Sequence, residues 1–277
     1  MSERITEAIS SGLLPDRVWA YSNYNCNLEC TYCLTESAPG SPKRMLSADR
    51  IVGIAAEAAA LGFRELGITG GEPLLMTHLP DTLAVASQHL PILVLTNGML
   101  CEGPRLERLA ALAGKPVAFQ ISLDSADPAR NDLFRGMGCF AKAVAGIRNL
   151  REAGLRVRIA TTLEGDVSAD EREALCALHR SFGIDDDDHL VRPVLRAGRA
   201  HASGGATSFS PEQIPPELCI TADGAFWSPF GPTITNGRLD LALLISRVTT
   251  PLARPAEMLV GLLEGRPAGA DAQIGIR

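Results

Sequence analysis

The chain has 277 residues, of which 46% are hydrophobic and 21% charged, an ordinary globular composition with length for one large core or two modest domains. The formal net charge of −6 and the lack of a lysine- and arginine-rich run argue against a nucleic acid partner, because phosphate-binding surfaces need clustered positive charge. The N-terminus lacks the apolar stretch of a signal peptide and no apolar run approaches membrane-spanning length, so we expect a cytoplasmic protein with no membrane partner.

Short β-rich runs alternate with helical stretches up to about residue 200. The clearest helix covers residues 48–61, after a possible N-cap at Ser47 and before Gly62. Regular βα alternation predicts a parallel α/β sheet, either a partial TIM-like (βα)6 barrel or an open doubly wound sheet, with the functional site at the C-terminal ends of the strands. The predicted strands are 18–24, 64–69, 92–96, 117–123, 157–163 and 189–194, and the other predicted helices are 81–88, 105–112, 140–153 and 169–182.

The alternation ends at residues 201–216, whose Gly, Ser and Pro content marks a loop or linker. We therefore predict a barrel domain over residues 1–200 and a small C-terminal domain over residues 217–277. This second domain contains a predicted hairpin at residues 219–230 that turns at Ala222-Asp223-Gly224, then two short apolar segments and a tail rich in Gly, Ala and Pro.

Three of the seven cysteines crowd into one segment, Cys26-Asn-Leu-Glu-Cys30-Thr-Tyr-Cys33, directly after the first predicted strand. This crowding and the odd number of cysteines indicate a metal site in a reducing compartment, not a disulfide framework. Three thiolates on one loop can hold three irons of an iron–sulfur cubane and leave the fourth iron open to a ligand. The alternative is a zinc site that a fourth Cys or His closes.

The other four cysteines are scattered along the chain. We interpret them as buried or half-buried thiols that act as small hydrophobic side chains: Cys101, Cys139, Cys176 and Cys219.

Together with Gly70-Gly71-Glu72-Pro73 after the second predicted strand, the CxxxCxxC segment resembles the radical S-adenosylmethionine superfamily. Two motifs in the correct order are far more specific than either motif alone. The resemblance covers about residues 17–200, and its later part is similar to members that carry a SPASM or twitch extension. The further matching segments are Thr96-Asn97-Gly98, Ser122-Leu123-Asp124, Arg135-Gly136, Arg192-Pro193 and Gly198-Arg199-Ala200.

The resemblance implies one [4Fe-4S] cluster on Cys26, Cys30 and Cys33, with S-adenosyl-L-methionine as the second cofactor. It also implies that an electron from an external donor, such as flavodoxin or ferredoxin, cleaves the S–C5′ bond to give a 5′-deoxyadenosyl radical. Such a radical abstracts the hydrogen held closest to it, so the cavity over the barrel mouth determines the product. The sequence assigns no residue that acts on the substrate.

The cofactor-binding residues follow from the same resemblance. The glycine pair lets backbone groups approach a ligand without a Cβ in the way, so Thr69 and Gly71 are expected at the methionine amino group. The complete expected set is Tyr32, Thr69, Gly70, Gly71, Glu72, Thr96, Ser122, Asp124 and Arg158.

Three of these residues have more specific expected roles. Ser122, with Thr96 nearby, is expected to form hydrogen bonds toward the sulfonium and the ribose. Arg158 is expected to pair with the methionine carboxylate because its fork donates two parallel hydrogen bonds, the alternative being an exposed barrel arginine. Tyr32 is expected near the adenine, the alternative being simple loop packing.

The C-terminal region departs from the SPASM and twitch pattern, in which further cysteines bind auxiliary clusters. Cys219 is present, but Pro229 stands where the family places its next cysteine. Since one cysteine cannot hold a cluster, the sequence predicts a degenerate twitch-like cap without metal. Phe226, Trp227 and Phe230 would supply its apolar cover, and contact of Trp227 with substrate is the alternative.

Three functions follow from these features. The first is an enzyme that abstracts hydrogen from a small metabolite or biosynthetic intermediate. The second is an enzyme that modifies a ribosomally synthesised peptide, although the residues ahead of the first strand are too few for the leader-binding domain fused to many such relatives. The third is a non-catalytic iron–sulfur or zinc-binding scaffold, against which the intact cysteine and glycine motifs count.

Overall fold

The computed structural model of the chain describes residues 2–42, 44–165 and 168–265. The helices in these ranges are α1 (Ser2–Ser10), α2 (Ala48–Leu61), α3 (Leu79–Ala86), α4 (Gly103–Ala110), α5 (Pro128–Arg135), α6 (Cys139–Glu152), α7 (Ala169–Ser181) and α8 (Ala253–Glu264). The strands are β1 (Arg17–Tyr21), β2 (Glu65–Thr69), β3 (Ile92–Thr96), β4 (Val117–Ser122), β5 (Arg156–Leu163), β6 (His189–Pro193), β7 (Cys219–Ile220), β8 (Ala225–Phe226), β9 (Ile234–Thr235), β10 (Arg238–Leu239) and β11 (Leu244–Ser246).

The βα alternation predicted from the sequence is confirmed by β1 to β6 and by α2, α3, α4, α6 and α7, with boundaries shifted by a few residues. The ends of α2 are those expected. The Ser47 side chain accepts a hydrogen bond from Arg50 N, and Gly62 ends the helix with a left-handed φ of 93°. The sequence did not predict α1, α5 or α8.

The sheet has nine strands in the order β11-β8-β7-β1-β2-β3-β4-β5-β6, and β1 to β6 are parallel neighbours in chain order. Parallel crossovers are right-handed, so a sequential order with no reversal places the crossover helices on one face. This winding is that of a barrel and not that of a doubly wound sheet. Within the described ranges β6 and β11 are edge strands, so the sheet is an open barrel.

The C-terminal region continues this sheet. Cys219 pairs with Trp19 of β1 in parallel register, and the predicted hairpin is confirmed by the antiparallel pairs Cys219 with Phe226 and Ile220 with Ala225. Residues 201–216 are tied to the barrel, because Thr207 N donates to Val194 O and Ile214 is fully buried. The division into two domains and a linker stays a prediction, and residues 266–277, most of the predicted tail, lie outside the described residues.

Two apolar cores flank the sheet. The larger core lies between the strands and the helices, and it includes Cys101. The second lies on the concave face, where Trp19, Phe226 and Phe230 pack with the fully buried Cys219. The C-terminal region therefore fills the interior of the open barrel beneath the ends of the strands.

None of the described helices has the length and apolarity that a membrane crossing requires.

Candidate cluster and cofactor site

One pocket opens at the C-terminal ends of the strands and contains about 1170 Å³ of empty space, counting its open mouth. Most of the site residues predicted from the sequence line this pocket: Cys26, Cys30, Tyr32, Cys33, Thr69, Gly70, Gly71, Thr96 and Ser122. The other three, Glu72, Asp124 and Arg158, do not line it.

The glycine pair joins the end of β2 to the segment that leads into the cysteines. Gly71 N donates to Asn23 O over 2.8 Å, and a Cβ on Gly71 would lie 2.2 Å from Asn25 O. Gly70 has a φ of 145°, and its Cβ would lie 2.5 Å from Asn23 O. Glycine is therefore required at both positions for the two backbone segments to touch.

Glu72 is fully buried and holds two strand ends together instead of facing the pocket. Its carboxylate accepts hydrogen bonds from Thr96 Oγ1 over 2.7 Å, Asn97 N over 2.8 Å and Leu74 N over 2.9 Å. Burial raises the pKa of Glu72, and these three donors oppose that rise. The carboxylate thus fixes the ends of β2 and β3, which carry pocket-lining residues.

Asp124 likewise positions its neighbours. Its carboxylate accepts hydrogen bonds from the Tyr32 hydroxyl, from Arg135 Nη1 over 3.2 Å and from Thr162 N over 2.9 Å. Arg135 Nη1 also donates to the Tyr32 hydroxyl. Burial raises the pKa of Tyr32 well above its usual value, so the phenol keeps its proton.

Arg135 lies beside the cysteine loop, since its backbone carbonyl lies 3.9 Å from Cys30 Sγ. The residue is only 6% exposed, and its Nε has no hydrogen-bond partner among the described residues although the side chain lines the pocket. A buried guanidinium donor without a partner is costly, so it indicates a ligand that accepts a hydrogen bond.

Arg158 lies on β5, as expected, but it does not line the pocket. It is opposite Gln120 in the β4–β5 register, two residues before the pocket-lining Ser122, and its Nε lies 3.3 Å from Asp188 Oδ1. The pairing of Arg158 with the methionine carboxylate stays a prediction. Because Arg158 already pairs with Asp188, Arg135, which lines the pocket, is the better candidate for that carboxylate.

A second arginine, Arg192 on β6, also lines the pocket. It belongs to the matching segment Arg192-Pro193, for which the sequence predicted no role. Its Nε donates to Thr162 Oγ1 over 3.2 Å, and none of the described carboxylates forms an ion pair with it. Burial lowers the pKa of Arg192 because it disfavours the charged form. The pocket thus contains a half-buried cation.

The far side of the cysteine loop is held by Arg199. Its guanidinium donates to Cys30 O over 2.9 Å and to Ser37 O over 2.7 Å, and its backbone N donates to Cys33 O over 3.0 Å. A Cβ on the neighbouring Gly198 would lie 2.3 Å from Cys33 O, which explains the glycine before this arginine. The cysteine loop is therefore held by Arg199 on one side, and the glycine pair contacts the segment that leads into it.

The three thiols are available as ligands of a cubane. No group of three or more His, Cys, Asp or Glu side chains in residues 2–42, 44–165 and 168–265 is arranged to hold one metal ion. The ligands of a cubane stand at separate corners and need not converge in that way. Burial, with a smaller contribution from nearby Glu72, raises the pKa of Cys26 to about 12, and cluster iron would stabilise the thiolate.

The C-terminal region also lines the pocket, through Pro229 and Phe230. Pro229, which the resemblance aligns with a cysteine of related extensions, lines the pocket beside Phe230. Of the predicted aromatic cover, Phe226 lies in the concave core, Phe230 reaches the pocket and Trp227 is half-buried. The sequence missed the pocket roles of Arg135, Arg192, Thr162 and Pro229.

Residues 21–178, more than half of the chain, match the Radical SAM superfamily. The chain belongs to the radical SAM superfamily. This confirms the family resemblance, and the members of the superfamily use a [4Fe-4S] cluster and S-adenosylmethionine. The glycine pair, the three thiols and the unpartnered Arg135 Nε fit those two groups.

Among the radical SAM relatives is a probable GTP 3′,8-cyclase of Archaeoglobus fulgidus, 38% identical over 57% of this chain and 52% of its own length. The chain spans about half the length of the curated relatives it matches.

Two solved structures confirm the fold. Native anSMEcpe with bound AdoMet has a TM-score of 0.61 at 12% identity and covers 87% of this chain and 79% of its own. Streptococcus suis SuiB bound to the precursor peptide SuiA has a TM-score of 0.60 at 18% identity and covers 76% of this chain and 46% of its own.

Proposed function

We propose that this chain is a radical SAM enzyme that abstracts hydrogen from a small metabolite or biosynthetic intermediate. The observation that carries the proposal is that three thiols, a glycine pair and a buried arginine with a free donor all line one pocket. When bound, a [4Fe-4S] cluster on Cys26, Cys30 and Cys33 and S-adenosylmethionine would supply a primary carbon radical on reduction.

The residues of the chain would orient the cofactor and exclude water. Arg135 suits the methionine carboxylate because it lies beside the cysteine loop and its Nε points to no other acceptor. Thr69 and the glycine pair offer backbone groups for the amino end, and Ser122 offers a hydroxyl on the opposite wall. Tyr32 and Asp124 would hold Arg135 in place, so their role is positioning.

Arg192 favours a substrate that carries an anionic group. Arg135 would satisfy the carboxylate of the cofactor, and this leaves the half-buried guanidinium of Arg192 for another anion. Beside it, Leu195, Pro229 and Phe230 form an apolar wall. A small molecule with an anionic group and an apolar body would match both features.

Modification of a peptide is the second candidate. SuiB, whose fold is shared over 76% of this chain, has been solved with a precursor peptide, whereas the relative from Archaeoglobus fulgidus is named for a nucleotide reaction. The half-buried Arg192 in the pocket supports the small-molecule substrate. A partner for either reaction is an electron donor of the flavodoxin or ferredoxin kind, and a reducing cytoplasm would keep the thiols free.

The test is reconstitution with iron and sulfide under anaerobic conditions, followed by reduction in the presence of S-adenosylmethionine. We expect about four irons per chain and formation of 5′-deoxyadenosine. A Cys26/Cys30/Cys33→Ala variant should lose both, whereas the matched control Cys101/Cys219→Ala should keep both because these thiols are buried in the apolar cores. Iron without cofactor cleavage would support the scaffold function, and zinc in place of iron would overturn the proposal.

A further inference from the structure

Three buried hydroxyl groups lie beside Cys33 at the wall of the cofactor pocket. The Tyr21 hydroxyl donates a hydrogen bond to Thr35 Oγ1 over 2.9 Å, and Thr35 Oγ1 lies 2.9 Å from Ser37 Oγ. Tyr21, Thr35 and Ser37 are 6%, 4% and 2% exposed, and all three line the pocket. We call these three side chains the hydroxyl network. Thr35 Oγ1 is also 3.6 Å from Cys33 Sγ, within hydrogen-bonding reach of the large sulfur atom.

The fold brings the hydroxyl network to Cys33 from two sides. Tyr21 is the last residue of β1, whereas Thr35 and Ser37 follow Cys33 in the cysteine loop. The backbone of this segment is held in place, because Arg199 Nη2 donates to Ser37 O over 2.7 Å. The position of Thr35 beside the sulfur is therefore set by the strand and by the loop together.

The chemical state of Cys33 determines the direction of these hydrogen bonds. A hydroxyl has one proton to donate and two lone pairs that accept. A thiol could donate to Thr35, but a thiolate that binds iron has no proton, so Thr35 must then donate to Cys33 Sγ. The two lone pairs of Thr35 are left to accept from Tyr21 and Ser37. Every hydroxyl of the network then has a defined donor role.

The other two thiols have different surroundings. Cys26 Sγ accepts a hydrogen bond from Leu28 N over 3.4 Å, and exchanging the Leu28 side chain would leave this backbone donor in place. Cys30 Sγ lies 3.9 Å from Arg135 O, a carbonyl that accepts but cannot donate. Thr35 differs from both contacts, because it offers a side-chain donor that a substitution can remove.

Hydrogen bonds to the sulfurs are among the factors that set the reduction potential of an iron–sulfur cluster. Reduction adds negative charge to the cluster and its ligands, so a donor at a ligand sulfur stabilises the reduced state more than the oxidised state. Burial strengthens this interaction, because the local dielectric constant is lower than that of water. The hydroxyl network has both properties, since it is buried and contains a donor next to Cys33.

We propose that the hydroxyl network raises the reduction potential of the cluster through the hydrogen bond from Thr35 to Cys33. The cluster is then a better acceptor for the electron that cleavage of S-adenosylmethionine requires. Tyr21, Thr35 and Ser37 are positioning residues in this reaction, because they act through Cys33. This inference rests on the proposed function.

The test is a redox titration of the reconstituted protein without S-adenosylmethionine, in which electron paramagnetic resonance follows the reduced cluster. Thr35→Val removes the hydroxyl and keeps the branched shape. We expect the ratio of reduced to oxidised cluster at a fixed potential to fall about tenfold, which corresponds to a shift of about 59 mV for one electron. Thr35→Ser keeps the hydroxyl and should titrate like the native protein. Tyr21→Phe and Ser37→Ala remove polarising neighbours, so each should shift the ratio less and in the same direction.

The matched control is Thr82→Val. Thr82 on α3 is also 4% exposed, and its hydroxyl donates to His78 O outside the cofactor pocket. This variant should have the native reduction potential. Iron analysis accompanies each titration, and about four irons per chain are expected in every variant.

An unchanged potential in Thr35→Val would overturn the inference. An equal fall in Thr35→Ser would also overturn it, because packing around Cys33, and not the hydroxyl, would then set the potential. If Thr35→Val took up no iron, native potentials in Tyr21→Phe and Ser37→Ala would overturn the inference in its place. A native protein that binds four irons and can be reduced but cleaves no cofactor would refute the proposed function, and the comparison of potentials would still decide the role of Thr35.

Discussion

Glu217 is a buried carboxylate just ahead of β7, at the end of the barrel away from the pocket. It accepts a hydrogen bond from Trp19 Nε1, and its Oε1 lies 3.8 Å from Arg17 Nη1. Burial raises the pKa of Glu217 from 4.5 to about 7, although Arg17 opposes the rise. Because the folded chain binds this proton more tightly than the unfolded chain, its contribution to stability is complete below pH 4.5 and is lost as the pH rises to about 7.

Glu217→Gln should remove this pH dependence. The glutamine can still accept from Trp19 but carries no charge to bury, so at pH 8 the variant should be more stable than the native chain, by at most about 3 kcal/mol. Near pH 4 the two should differ little. Urea unfolding at a series of pH values measures this difference. A difference that does not change between pH 4 and pH 8 would contradict the assignment.

The two candidate arginines for the methionine carboxylate can be separated by experiment. Arg135→Gln should weaken binding of S-adenosylmethionine to the reconstituted protein by roughly 10- to 100-fold, the value of a hydrogen-bonded charge pair. Arg158→Gln should bind like the native protein, because Arg158 pairs with Asp188 outside the pocket. Equilibrium dialysis gives both affinities, and the iron content shows whether each variant retains the site. The reverse ranking would restore the assignment made from the sequence.

Among the elements, the C-terminal strands are joined by a close backbone contact. Gly224, in the β7–β8 turn, has a φ of 151°, and a Cβ there would lie 2.6 Å from Ser246 O on β11. Gly224→Ala should therefore push β11 away from β8 and lower stability. Gly237→Ala is the matched control, because Gly237 also has a positive φ, 72°, but its Cβ would meet nothing within 4 Å.

We expect the Gly224 variant to lose about 1–3 kcal/mol more than the Gly237 variant, the usual cost of overpacking. Thermal or urea unfolding of the two proteins provides the comparison. Equal losses would mean that the strained backbone alone sets the cost and that β11 adapts freely.

The elements that could be predicted from the sequence are those with local signals. The barrel strands are short apolar runs, and α2 has both a serine cap and a glycine stop. The sequence of α5 also has a cap, Asp127 followed by Pro128, but this short helix buries only Asn131 and Arg135 and so lacks an apolar period. For α8 the period exists in Ala256, Leu259, Val260 and Leu263, but the sequence predicted only two short apolar segments after residue 230 and no helix there.

The site could be predicted only as far as its motifs. The cysteine segment and the glycine pair meet in the pocket because they follow β1 and β2, which are neighbours in the sheet. Arg158 illustrates the limit, since its depth in the barrel depends on the register with β4, which no local pattern reveals. The wall formed by Pro229 and Phe230 depends on β7 pairing with β1, about 200 residues away, and long-range pairing leaves no local signature.

At the scale of the whole molecule, the barrel and the C-terminal region share one sheet and one concave core. Trp19 of β1 packs there with Cys219 and Phe226, and Trp227 contacts both cores. A C-terminal region with its own core could unfold separately, whereas one that completes the core of the barrel should unfold with it.

The two tryptophans of the chain allow this to be measured, since Trp19 lies in the barrel and Trp227 in the C-terminal region. Trp227→Phe leaves Trp19 as the fluorescent reporter, and Trp19→Phe leaves Trp227. In each variant we expect the fluorescence and the far-UV circular dichroism to give the same urea midpoint, because one cooperative transition disrupts the whole sheet. The Trp19 variant should have the lower midpoint, as it loses a buried ring and the hydrogen bond to Glu217. If the Trp227 signal changed at a lower urea concentration than the circular dichroism, the C-terminal region would be a separate folding unit, as the division predicted from the sequence implies.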